Sequence, residues 1–152
     1  MITIERNKSI ATEIADGVLE EAAARALRHQ SAPDDCDLSI VLTDDAQLRE
    51  LNRNFLGTDA PTDVLSFPAE QIDPETGFRY LGDILISVPR AAAQAAGSGH
   101  PLEAEMQLLV VHGVLHLMGH DHAEPDEKAR MWRAQAEILA ELGLAHIQVR
   151  ED

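Results

Sequence analysis

Apolar and polar positions along the chain follow two periods, and the switches between them mark the elements. Residues 2–5 alternate and read as a short first strand. Over residues 9–29 the spacing turns helical. Ile10, Ile14 and Val18 lead into an alanine-rich stretch that ends near Leu27, with Glu13, Glu20 and Glu21 at the wet positions. Residues 31–35 read as a loop. Residues 36–42 place Leu38, Ile40 and Leu42 on one face and Val41 on the other, which predicts a strand. Thr43 or Asp44 then caps a helix running to about Phe55, with Leu48, Leu51 and Phe55 as its buried stripe.

A turn at residues 57–61 leads to a second strand over 62–67, which Pro68 stops. Residues 70–78 carry Pro74 and Gly77 without a period and predict a surface loop; residues 80–87 predict the third clear strand. Pro89 opens a short helix that the glycines at 97 and 99 end. Pro101 opens a long helix with Leu102, Met106, Leu109, Val110 and Leu117 as its apolar face. Residues 125–142 form the last helix, with Met131, Ile138 and Leu142 inward and Gly143 beyond its end. Alternating helices and strands of this kind predict one α/β (α+β) layered domain over residues 1–152.

The long helix carries the chemistry. Four of the seven histidines fall between His112 and His122. His112 and His116 stand four apart, one helical turn, the spacing at which two imidazoles can hold one cation. Gly119 offers the left-handed position that ends a helix, so the chain can turn there and bring back a third group. Three protein ligands on zinc leave the open position that hydrolysis needs. The usual zincin helix carries Glu directly after its first histidine as general base. Gly113 stands there instead, which argues against a peptidase.

Composition changes this picture in two ways. The chain of 152 residues holds 27 acidic against 12 basic side chains, for a net charge of −15, which argues against broad binding to phosphate backbones. The single Cys36 cannot form an internal disulfide and reads as a small buried hydrophobe, in keeping with a reducing cytoplasm. The N-terminus has no secretory apolar segment, and no run has the apolar length of a membrane span.

The motif His112-Gly-x-Leu-His116-Leu-x-Gly-x-Asp-His122 resembles the signature of the YbeY family, bacterial endoribonucleases and rRNA maturation factors. Leu51-Asn52, the run from Pro61 to Pro68 and Leu81-Gly82-Asp83-Ile84 agree with it. The resemblance implies a small mixed sheet flanked by about five helices, including a zincin-like metal helix. It implies one Zn2+ per chain on His112, His116 and His122. It further implies single-stranded RNA cleavage in rRNA maturation and ribosome quality control in the cytoplasm, with ribosomal or ribosome-associated proteins as partners. Geometry agrees on the third ligand. A continuous helix would carry His120 about 12 Å beyond His112. Ligand nitrogens on one zinc are only about 3.4 Å apart. A residue beyond the stop at Gly119 can return instead, as His122 does in sequence. The family commonly has Tyr where this chain has His120.

Other candidates carry competing roles. Asp121 can accept the second ring N–H of a ligand histidine or form a turn after Gly119. Ser66 and Asp63 lie on a strand able to flank a cleft, and no nucleophile elbow surrounds Ser66. Asp83 orients a histidine or bonds a turn. His29 suits a helix C-terminus, and His100 and His146 read as surface residues. One departure concerns RNA: the family usually has Arg four residues after the Asn of its Leu-Asn motif, and here that residue is Leu56. Arg53, three residues earlier, is the candidate replacement. Two further functions fit a zinc-bearing chain: hydrolysis of another ester or amide, and a ribosome-associated assembly factor in which zinc only holds the fold.

Overall fold

A computed structural model describes residues 1–8, 10, 12–60, 62–121 and 123–147. In order these form β1 (Ile2–Arg6), α1 (Asp16–His29), β2 (Cys36–Thr43), α2 (Asp45–Leu56), β3 (Val64–Ile72), β4 (Arg79–Ser87), α3 (Val88–Ser98), α4 (Leu102–Leu117) and α5 (Pro125–Glu141). The strands form one mixed sheet in the order β1-β2-β4-β3. The β1–β2 and β2–β4 pairs are parallel, and β3 runs antiparallel to β4 along the edge. This is the α/β arrangement that the alternating periods predict.

Strand alternation sorts the two faces of the sheet. Leu38, Ile40 and Leu42 of β2 and Ile84 and Ile86 of β4 join the main core beneath α1, α3 and α4. Val41, Leu85, Leu65 and Phe67 point the other way and pack under Leu48 and Leu51 of α2. Asp44 starts α2, its side chain accepting from the Gln47 amide at 2.9 Å. Ser87 does the same for α3, and Gly99 ends that helix in the left-handed conformation.

The helix α4 departs from its predicted single apolar face. Ten of its sixteen residues are buried, because it lies on the sheet between α1 and α3 with α5 across it. The approach to β4 is close: a Cβ at Gly113 would stand 2.7 Å from Ile84 Cγ2. Glycine therefore sets the distance between the histidine helix and the sheet.

Three local predictions are corrected. The first helix begins at Asp16, not Ser9, which lies outside the described residues; residues 12–15 carry no helix. Arg6 explains the delay. Its guanidinium donates to the Ile14 carbonyl at 2.6 Å and pairs with Asp16, holding this segment against β1. The strand predicted to stop at Pro68 continues to Ile72. Proline is tolerated there because β3 is an edge strand and the ladder is irregular between Pro68 and Gln71. Gly82 opposite has φ +141°, and a Cβ would lie 2.2 Å from the Phe67 carbonyl oxygen. The loop is thus confined to a tight turn, with Asp73 N–H donating to Phe78 O at 2.8 Å. Finally, Phe55 is not buried but 68% exposed.

His100 also differs from its surface prediction. Its side chain is 9% exposed and its Nε2 lies 2.7 Å from Glu105 Oε1, whose side chain is fully buried. Burial of a carboxylate requires such a partner, so Glu105 serves packing as well as the α4 dipole. His146 is exposed and Cys36 buried, both as expected.

Candidate metal centre and cleft

Gly119 ends the histidine helix by a Schellman arrangement. Its N–H donates to His116 O at 3.1 Å, and the His120 N–H donates to Leu115 O at 2.9 Å. Gly119 adopts φ +97°, a conformation that favours glycine. The helix stop predicted there is what the structure contains. His122, the third predicted ligand, lies outside the described residues.

Upstream of the stop, His112 and His116 turn their rings toward each other. The two Nε2 atoms are 3.1 Å apart, with ring planes at 73°. On the far side of the His112 ring, Nδ1 lies 2.9 Å from Gln135 Oε1. A carboxamide oxygen only accepts, so Nδ1 carries the proton and Nε2 presents a lone pair. Gln135 is 1% exposed and projects from α5, which crosses α4 at this level. Trp132, one turn earlier on α5, meets the His112 ring edge to face at 6.0 Å.

These residues fit a metal. Two nitrogens about 3.4 Å apart are what a tetrahedral zinc shares between neighbouring ligands, and the observed pair stands at 3.1 Å. A partner fixing the tautomer of one ligand is the usual support of such a centre. Among the described residues no three His, Cys, Asp or Glu side chains are gathered as a metal set, so the pair supplies two donors and the third must come from elsewhere.

Gln135 was invisible in the sequence. It sits 23 residues from His112 on another helix, at a buried position of α5 where the period predicts an apolar side chain. Replacing it with Leu removes the acceptor while keeping most of the volume. Gln135→Leu is expected to weaken zinc affinity by about 10–100-fold, read by competition against a chromophoric chelator. Unchanged affinity would mean that the 2.9 Å contact only packs the helices.

The histidine pair opens on a cleft of about 650 Å3. Its walls include Asn52 and Leu56 of α2, Val64, Ser66 and Pro68 of β3, and Trp132 of α5. Two carboxylates, Asp63 and Asp121, face the same space. Asn52 is buried and donates to the Ala60 carbonyl at 3.0 Å, which shapes the connection between α2 and β3 along the rim. Ser66 donates to the Gly113 carbonyl at 3.3 Å; its hydroxyl braces the helix rather than acting as a nucleophile. Arg53 is exposed on α2 and is not among the residues lining the cleft, whereas Leu56 is. Asp83 pairs with the Tyr80 hydroxyl, on the face of β4 opposite Ile84, so it orients no histidine. Burial, followed by the bond to Asp83, raises the Tyr80 pKa.

His120 points into a different network. Its Nε2 lies 2.7 Å from Gln30 Oε1, and Gln30 Nε2 lies 2.9 Å from His29 Nδ1. His29, at the end of α1 as its dipole role predicts, also faces Glu137 at 3.6 Å. Burial lowers the His120 pKa below its ordinary value, with Arg130 and His29 adding to the effect. The ring is tied to the C-terminal end of α1.

Fold and site together define a class: a small α/β domain whose buried helix presents a metal-type histidine pair to one cleft. The family model for endoribonuclease YbeY matches residues 1–143. Proteins named endoribonuclease YbeY are 48% identical over 134 residues in Chloroflexus aurantiacus, covering 84% of this chain and 86% of that one. The protein of that name from Desulfitobacterium hafniense is 43% identical over 134 residues, covering 84% and 85%. The solution structure of TM1509 from Thermotoga maritima shares the fold with a TM-score of 0.56 at 22% identity, covering 100% of this chain and 99% of that one. The chain belongs to the YbeY family.

Proposed function

We propose that this chain is a zinc-dependent endoribonuclease that cuts single-stranded RNA, acting on ribosomal RNA precursors in the cytoplasm with ribosomal or ribosome-associated proteins nearby. The observation that carries the reading is the His112–His116 pair, 3.1 Å apart at the cleft with Gln135 behind it. His112, His116 and His122 are the proposed ligands of one zinc per chain, and the whole chain works as one domain. Zinc held there supplies Lewis acidity toward a phosphoryl oxygen and a lowered pKa for water. Gln135 holds the His112 tautomer. Asp63 and Asp121 supply carboxylates on the same walls, and Asp121 is the proposed outer partner of a ligand histidine. No helix among the described residues is long and apolar enough to cross a membrane.

The test is direct. Metal-loaded and chelated protein are incubated with single-stranded RNA and with a peptide pool. The loaded protein is expected to cut RNA only, and the chelated protein to keep its circular dichroism while losing activity. Unfolding on chelation would make the zinc structural, and peptide cleavage would replace the RNA reading.

Charge sets a second expected result. With a net charge of −15, few phosphates can be neutralised. The slope of log K against log salt for single-stranded RNA is expected to stay shallower than about −2, since each neutralised phosphate contributes about −0.7. Arg53, exposed beside the cleft-lining Asn52, is the proposed backbone contact. Arg53→Ala should remove up to about one contact from that slope. A steep wild-type slope, or one untouched by Arg53→Ala, would return Arg53 to a solvated helix face.

A further inference from the structure

We propose that Phe55, next to the cleft-lining Leu56 on α2, is a nucleobase-stacking platform beside the cleft, an inference that rests on the reading that this cleft receives single-stranded RNA. The chain has one Trp, one Tyr and three Phe, so its aromatic placement is informative. Trp132 lines the cleft against His112, while the rings of Phe55 and Phe67 meet outside its lining, where α2 packs on β3. On α2 the lining residues Asn52 and Leu56 stand on either side of Phe55 in sequence, while Phe67 turns toward α2, away from the Ser66 side chain that meets α4.

The two phenylalanines have different environments. Phe67 packs into the cluster of Leu48, Leu65 and Leu85 under α2. Phe55 stands against it at 5.9 Å and 75°, which orients the ring, yet leaves it 68% exposed. Leu56 beside it is 57% exposed. The stripe period of α2 assigns Phe55 to the core, and the Gly57 stop at φ +73° leaves it on the last turn beyond the strand edge. A large ring held in one orientation, but not covered, offers a flat apolar surface to a ligand.

Electrostatics selects the ligand's contacting part. A chain of charge −15 has little to offer a phosphate backbone. With few phosphate contacts, more of the affinity for RNA falls to the bases, and stacking is the sequence-tolerant way to hold them. Only an unpaired base has a face free to stack. The platform would therefore select single strands over duplexes without reading sequence.

The test measures binding of a single-stranded oligoribonucleotide and of its duplex to the zinc-loaded protein, by anisotropy, before cleavage. Phe55→Ala is expected to raise Kd for the single strand about tenfold, equivalent to about 1.4 kcal/mol. The duplex Kd and the salt slope should not move, which a general loss of structure would not achieve. Phe55→Trp should restore wild-type affinity. A single-strand Kd within twofold of wild type in Phe55→Ala, or a Phe55→Trp as weak as Phe55→Ala, overturns the platform. Wild type that binds single strands but never cuts them would refute the nuclease reading, and the Phe55 ratio would still decide the platform. Wild type that binds no RNA would overturn both.

Discussion

His116→Ala and His122→Ala are each expected to emerge from purification without stoichiometric zinc, with RNA cleavage lowered by more than about 100-fold. Loss of a mere outer partner of a ligand already weakens a metal centre by about 10–100-fold. His120→Ala, by contrast, keeps its zinc. The backbone bond from residue 120 to Leu115 that closes the helix survives the substitution. What is lost is the side-chain bond to Gln30, 2.7 Å away on α1. A single hydrogen bond of that kind contributes about 1 kcal/mol to stability. Elemental analysis of the untagged variants side by side reads the result. If His120→Ala loses the metal while His122→Ala retains it, the assignment of the third ligand is wrong.

Gly113→Glu, which would complete a zincin-type His-Glu-x-x-His, is expected to destabilise the domain strongly rather than produce a peptidase. The new Cβ would stand 2.7 Å from Ile84 Cγ2 and about 3.1 Å from two further atoms of that side chain. Overpacking of this sort costs about 1–3 kcal/mol, and a carboxylate pressed onto the core face of β4 without a partner adds its desolvation. Together these reach at least about 4 kcal/mol, a large part of a typical total of about 5–15 kcal/mol. Urea denaturation, or a lack of folded protein on expression, is the readout. A variant as stable as wild type would show that α4 can lift from the sheet at little cost. It would also reopen the position to a catalytic carboxylate. In this chain the close approach of α4 to β4 leaves little room for a side chain at Gly113.

The histidine helix illustrates how far one dimension reaches. The His112–His116 spacing and the stop at Gly119 both depend on bonds within a few residues. These features were legible because helical geometry is local. Strand faces in β2 and β4 were legible for the same reason, since side chains alternate at every residue. The YbeY signature pointed to the family to which the chain belongs.

Contacts between distant segments were not legible. No period marks Gln135 as the partner of His112, because a polar side chain buried on α5 has meaning only once α5 crosses α4. His100 and Glu105 look like surface charges until the N-terminal end of α4 is packed and they bury each other. Pro68 ends a strand in general but not here, where β3 is an edge with an irregular ladder and Gly82 lies opposite. Phe55 follows the apolar stripe of α2, yet it meets Phe67 of the edge strand β3 only edge to face and stays exposed. The sequence by itself determined the α/β order, the helical histidine pair and its glycine stop, because each is written in backbone geometry over a turn or a strand. Only the tertiary structure decided which polar groups are buried together, how close α4 lies to the sheet, and which apolar side chains face the cleft. Those depend on the distances between elements, and local periodicity carries no information about them.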